Sequence, residues 1–175
     1  GTQTYTGGLT ATAVAGTVTL HGTLNSTNTA MVLGAVTLGS NTTINTNATS
    51  TAGDITLGAV TLAGYNLTMQ TGTGAGTSAA DISGTSVSGL GSLALQSVGG
   101  TVRFTGSVSA SSFTVASTVN NLSLTGTGGT VTNAVTFSNT GTLVLGQAGG
   151  NQYYTNGFTA TAPSRVTLYG RFKAV

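Results

Sequence analysis

Leu33-Gly34-Ala35-Val36-Thr37-Leu38 recurs unchanged as Leu57-Gly58-Ala59-Val60-Thr61-Leu62, an offset of 24 residues. Each copy ends on an apolar residue, a threonine and a second apolar residue, and this period-two alternation marks a half-buried β-strand. A unit this short cannot enclose a core, so recurrence at this spacing implies stacking of one copy on the next. A second echo, Ala52-Gly53-Asp54-Ile55 against Ala79-Ala80-Asp81-Ile82, has an offset of 27. Both offsets suit one turn of a β-solenoid, in which equivalent residues of successive turns lie about 4.7–4.9 Å apart.

The same alternation appears in Val18-Thr19-Leu20, Ile55-Thr56-Leu57, Leu93-Ala94-Leu95 and Leu143-Val144-Leu145, with Gly or Asn between such runs. Thr and Val dominate, Glu is missing and Lys nearly so, and no window keeps a 3.6-residue period. The sequence therefore predicts an all-β chain with essentially no α-helix: a parallel β-helix (β-solenoid) of roughly seven to eight coils forming a single domain over 1–175. Leu, Val, Ile and Phe would form inward ladders, with Thr, Ser and Asn outside and Gly at the corners.

A longer repeat joins the two ends. Thr2 to Ala13, TQTYTGGLTATA, matches Asn151 to Ala162, NQYYTNGFTATA, at an offset of 149. With one residue dropped, Val18-Thr19-Leu20-His21-Gly22 aligns with Val166-Thr167-Leu168-Tyr169-Gly170, and Leu24 with Phe172. Residues 2–24 and 151–172 read as equivalent ends of a long repeat, either one unit of a tandem array plus the start of the next or a subunit whose last coil imitates its first. Neither terminus resembles a cap, so each would offer unpaired backbone groups to a neighbour.

Composition narrows the functions. Only 3% of residues are charged, which leaves few groups for catalysis, while 38% are hydrophobic, which argues for a packed core and against a disordered tail. Arg103, Arg165, Arg171 and Lys173 against Asp54 and Asp81 are too sparse for a nucleic-acid footprint. The chain contains no Cys, and no stretch approaches about 18 consecutive apolar residues, so disulfides, thiolate metal sites and membrane insertion are not expected. Gly1 opens no signal sequence, so the chain reads as a mature piece.

Four stretches, GTQTYTGGLTA at the start, GAVTLGSNTTINT from Gly34 to Thr46, GLGSLALQSVGGTVRFTGSVS from Gly89 to Ser109 and NTGTLVLGQAGG from Asn139 to Gly150, resemble the arrays of large bacterial β-strand-repeat surface proteins, the filamentous-haemagglutinin-like exoproteins. The resemblance covers most of the chain. It implies a parallel β-helix, export to the bacterial cell surface, and a role in adhesion, matrix or fibre formation, and it supplies no catalytic residue. The N-terminal secretion domain of full-length members has no counterpart in these residues.

Candidate reactive groups are few. Asp54 and Asp81 would stack roughly 5 Å apart, near the spacing of a retaining glycosidase pair, but repeat-equivalent positions do not separate two pKa values as an acid and a nucleophile require. They are weak candidates for sharing a cation; the plainer reading is an Asx turn at a corner, each carboxylate bonding its own backbone. His21 has Tyr169 as its repeat equivalent, which suggests a surface or stacking position. Thr-x-Thr pairs such as Thr10-Ala11-Thr12 and Thr17-Val18-Thr19 raise an ice-binding face, although their uneven spacing fits ordinary exposed strands. The sequons at Asn25, Asn41, Asn47, Asn66 and Asn121 are what such a composition gives by chance.

Aromatic and basic residues gather near the ends: Tyr5, then Tyr154, Phe158, Tyr169, Arg171, Phe172 and Lys173. They are the candidates for self-association. The expectation is a non-enzymatic, cofactor-free extracellular structural segment assembling head to tail with other copies or adjacent repeats. The alternatives are a glycan- or ice-binding module on a Thr/Asn face, and a donor-strand-linked filament subunit.

Overall fold

The computed structural model describes residues 1–50, 52–72 and 79–174, and among them there is no helix. The strands of the first half are β1 (Thr2–Tyr5), β2 (Leu9–Ala11), β3 (Val18–Ser26), β4 (Met31–Leu33), β5 (Val36–Asn45), β6 (Ile55–Thr61), β7 (Leu67–Gln70), β8 (Ile82–Ser88) and β9 (Ser92–Leu95). The second half contributes β10 (Val98–Phe104), β11 (Ser112–Val115), β12 (Val119–Leu124), β13 (Thr130–Val131), β14 (Val135–Thr136), β15 (Thr142–Leu145), β16 (Asn151–Tyr154), β17 (Phe158–Thr159), β18 (Arg165–Leu168) and β19 (Arg171–Lys173).

Every pairing between them is parallel, and the chain winds as a three-sided solenoid of about eight turns. The first side carries β1, the far halves of β3 and β5, then β7, β9, β11, β14 and β17. The second carries β2, β4, β6, β8, β10, β12, β15 and β18. The third begins with Val18–Leu20, continues through the near half of β5 and the ends of β6 and β8, and finishes with β13, β16 and β19.

The two hexapeptides lie on adjacent rungs in register. Leu33 faces Leu57, Val36 faces Val60 and Thr37 faces Thr61, and the Gly58 amide donates to the Gly34 carbonyl at 3.0 Å. The offset of 27 is likewise one turn, since Ile55 faces Ile82. Inward residues form continuous ladders, one of which runs Leu9, Met31, Ile55, Ile82, Val102, Leu122, Leu143, Val166. Its six inner members are almost fully buried, and burying side chains of this size stabilises the fold by about 1.5–3 kcal/mol each before entropy is counted. Size is matched between rungs: the Phe104 ring fills the space in which a Cβ on Gly84 would sit.

Residues 2–24 and 151–172 adopt the same local structure on different sides. Thr2 pairs with Thr23, and the aligned Asn151 pairs with Arg171. The Gly8 amide donates to the Tyr5 carbonyl and the Gly157 amide to the Tyr154 carbonyl, at 3.0 and 2.8 Å. Both glycines are left-handed, with φ of 81° and 79°, a conformation that glycine adopts without a Cβ penalty. Yet β1 lies on the first side and β16 on the third. The long repeat therefore spans seven turns less one side, and its second copy is rotated by a third of a turn.

Candidate functional site

The two ends of the solenoid are where its ladders stop. On the second side Leu143 and Leu145 are fully buried, whereas the next members, Val166 and Leu168, are 39% and 49% exposed because no described strand lies above them. At the other end Leu9, Ala11 and Val18 are inward members of the first turn and are only partly buried. Each end opens into the core. The lower mouth, about 250 Å³, is lined by residues that include Gln3, Tyr5, Leu9, Val18 and Leu20; the upper, about 220 Å³, by Tyr154, Gly157, Phe158, Phe172, Lys173 and Ala174.

Most of the residues singled out in the sequence gather at these mouths. Tyr5 lines the lower one and donates its hydroxyl to Oε1 of Gln3. At the upper end Tyr154, Phe158 and Phe172 join Phe137 in an aromatic cluster, with Phe158 and Phe172 ring centroids 5.9 Å apart and Tyr154 stacked on Phe172 at 6.4 Å and 16°. Tyr154 is only 3% exposed, so it belongs to the core beneath the last rung, and burial pushes its phenol well above the ordinary tyrosine range. Tyr169 stands outside this cluster at an exposed corner. Arg171 and Lys173 are exposed on β19, with Lys173 at the rim of the upper mouth.

Asp54 and Asp81 stack as their repeat predicts, but the Asx-turn expectation fails. Asp54 Oδ1 accepts the Asp81 amide at 2.8 Å, and Asp81 Oδ1 accepts the Thr101 amide at 2.7 Å. Each carboxylate thus binds the backbone of the following rung. Among the described residues no three His, Cys, Asp or Glu side chains gather as a metal site. The His21 ring packs where a Cβ on Gly39, its neighbour in the next rung, would sit.

Two features escape the sequence. First, four of the five sequon asparagines serve as ties between rungs: Asn41 Oδ1 accepts the Asn66 amide, Asn66 Oδ1 the Ser92 amide and Asn121 Oδ1 the Thr142 amide, at 3.0, 3.2 and 2.9 Å. Asn47 donates from Nδ2 to the Ser26 carbonyl at 3.1 Å. Second, the first side carries an outward column of Thr2, Thr23, Thr43, Thr68, Ala94, Thr114, Thr136 and Thr159. The uneven sequence spacing of the threonines comes from turns of unequal length, and the rung register aligns them nonetheless.

Fold and ends together define the class: a three-sided parallel β-solenoid with unpaired edges at both described ends. Comparison with known proteins finds no matching family model, curated protein or solved structure. No helix among the described residues is long and apolar enough to cross a membrane.

Proposed function

We propose that the chain is a structural segment of an extracellular bacterial fibre, matrix or adhesin stalk that assembles end to end by adding rungs to a shared solenoid. The exposure of Val166 and Leu168 in ladders whose inner members are buried carries this reading, because apolar side chains already aligned in a stack gain burial from the next rung at little ordering cost. Parallel edges with free N–H and C=O groups are templates for further strands. The scarcity of charge keeps long-range repulsion between ends small. The lack of Cys and the phrases resembling exported β-strand-repeat proteins support a cell-surface setting. The stiffness of such a stalk would come from inter-rung backbone bonds and the Asn and Asp ties.

Sedimentation and negative-stain electron microscopy of the purified chain test this. Concentration-dependent growth into unbranched filaments is the expected result, and a 17 kDa monomer persisting up to millimolar concentration would defeat it.

The threonine column favours a second reading, in which the first side is a contact face for a glycan or for ice. Its strand positions carry no charged residue, so hydroxyls, methyls and the amides of Asn25, Asn45 and Gln70 form the surface. Binding to a glycan array, or thermal hysteresis, that is lost on Thr43→Val together with Thr68→Val would establish it.

A further inference from the structure

We propose that a second copy of this chain seats on the upper end in a single register: its β1 over β17, its β2 over β18 and its Val18–Leu20 over β19. The proposal rests on the end-to-end reading and specifies the joint. A solenoid ends as a spiral step. The last turn runs from the first side (β17) through the second (β18) to the third (β19), so the lowest free edge is on the first side. The first turn also begins on the first side, with β1, and rises through β2 to Val18–Leu20. Only this orientation lets three edges meet three edges; a rotation by a third of a turn leaves an empty step.

Continuing each ladder by one rung sets the partners. Leu9 of the incoming copy falls over Val166, Ala11 over Leu168, Val18 over Phe172 and Gln3 over Ala160, so at two of the four contacts a small residue meets a large one, as Gly84 meets Phe104 within the molecule. The molecule also shows what Gln3 would do. The aligned Gln152 stands over Gly129 with 5% exposure, and its Nε2 donates to the Gly126 carbonyl of the turn below at 2.9 Å. Gln3 is exposed, with no described turn below it, and Ala160 is another small residue that leaves room for its amide. The backbone is prepared too: Leu9 and Val18 donate upward to the Ala30 and Ala35 carbonyls, so strand alternation turns the amides of Thr10 and Thr19 toward the open edge.

Cysteine pairs read the register directly, because the chain has none of its own. In the proposed joint Thr10 lies over Thr167 with Cα atoms about 4.8 Å apart, within disulfide range. The double variant Thr10→Cys with Thr167→Cys should oxidise to a ladder of dimers, trimers and higher species, and a mixture of the two single variants should stop at dimers. The pair Thr10→Cys with Thr159→Cys reports the joint rotated by a third of a turn and should not link. Linking by that pair alone, or filaments that neither pair links, would overturn this register and leave the fibre reading standing. Monomers with no link from either pair would end both. Hydrogen exchange of the unmodified chain decides the case independently of any variant: filament formation should slow exchange at Thr10 and Thr19 at least tenfold, and unchanged rates in filaments would overturn the proposal.

Discussion

The first turn and the seventh carry nearly the same sequence in different surroundings. Gln152 and Tyr154 have turns above and below them and are 5% and 3% exposed. Gln3 and Tyr5 have a turn above and, among the described residues, none below; Gln3 is exposed and Tyr5 half-buried. What separates the pairs is one missing rung, not chemistry. In a stacked fold a residue's burial is set by its neighbours along the axis, so a terminal rung is an unfinished interior.

The largest expected effect uses one ladder on which Leu145 is covered and Leu168 is not. Leu145→Ala should destabilise the chain by about 2–5 kcal/mol in urea unfolding, and Leu168→Ala in the monomer by less than about 1 kcal/mol, since cavity cost requires a closed surrounding. Equal losses at both positions would erase the distinction between interior and terminal rungs.

The paired hexapeptides sharpen it next. A Cβ on Gly58 would stand 2.8 Å from the Gly34 backbone carbon, whereas one on Gly34 comes no nearer than 3.5 Å to the first turn. Gly58→Ala should therefore cost about 1–3 kcal/mol by forcing two rungs apart, and Gly34→Ala much less. Thermal or urea unfolding of the two variants reads the difference.

A smaller contrast lies between the two glutamines. Gln152→Ala removes an amide bonded to the Gly126 carbonyl and should lose about 1 kcal/mol, while Gln3→Ala leaves monomer stability unchanged and weakens assembly. The smallest effect is electrostatic. Because burial raises the Tyr154 pKa, the folded chain holds that proton when the unfolded chain releases it. Its contribution is complete below about pH 10 and declines as pH rises beyond that value. Urea unfolding at pH 9 and pH 11 should show a loss that Tyr154→Phe reduces.

The stacking was legible in the sequence because inward ladders demand the same residue type at each turn: Leu33 over Leu57 and Val36 over Val60 repeat as letters what they repeat in space. The phase of the long repeat was not. TQTYTGGLTATA and NQYYTNGFTATA dictate the same turns and strands, but the side on which they fall depends on the number of strands between them, which two-residue strands such as Thr130–Val131 and Val135–Thr136 conceal. The threonine column was hidden for a related reason, since turns of unequal length scatter in sequence what register aligns in space. The role of Asp54 and Asp81 was missed because a local turn and a bond to the next rung require the same acceptor, and only the winding tells them apart. The mouths were legible in part: the end clusters of aromatics pointed to them, but burial of Tyr154 and exposure of Tyr169 follow from which residues face inward.

The most direct test is the axial repeat of assembled filaments by cryo-electron microscopy. Eight rungs at about 4.8 Å predict a rise of about 38 Å per chain with no break in the rung spacing at the joint. A purified chain that never assembles, or filaments whose rungs are interrupted between subunits, would contradict the claim that its ends are unfinished interior.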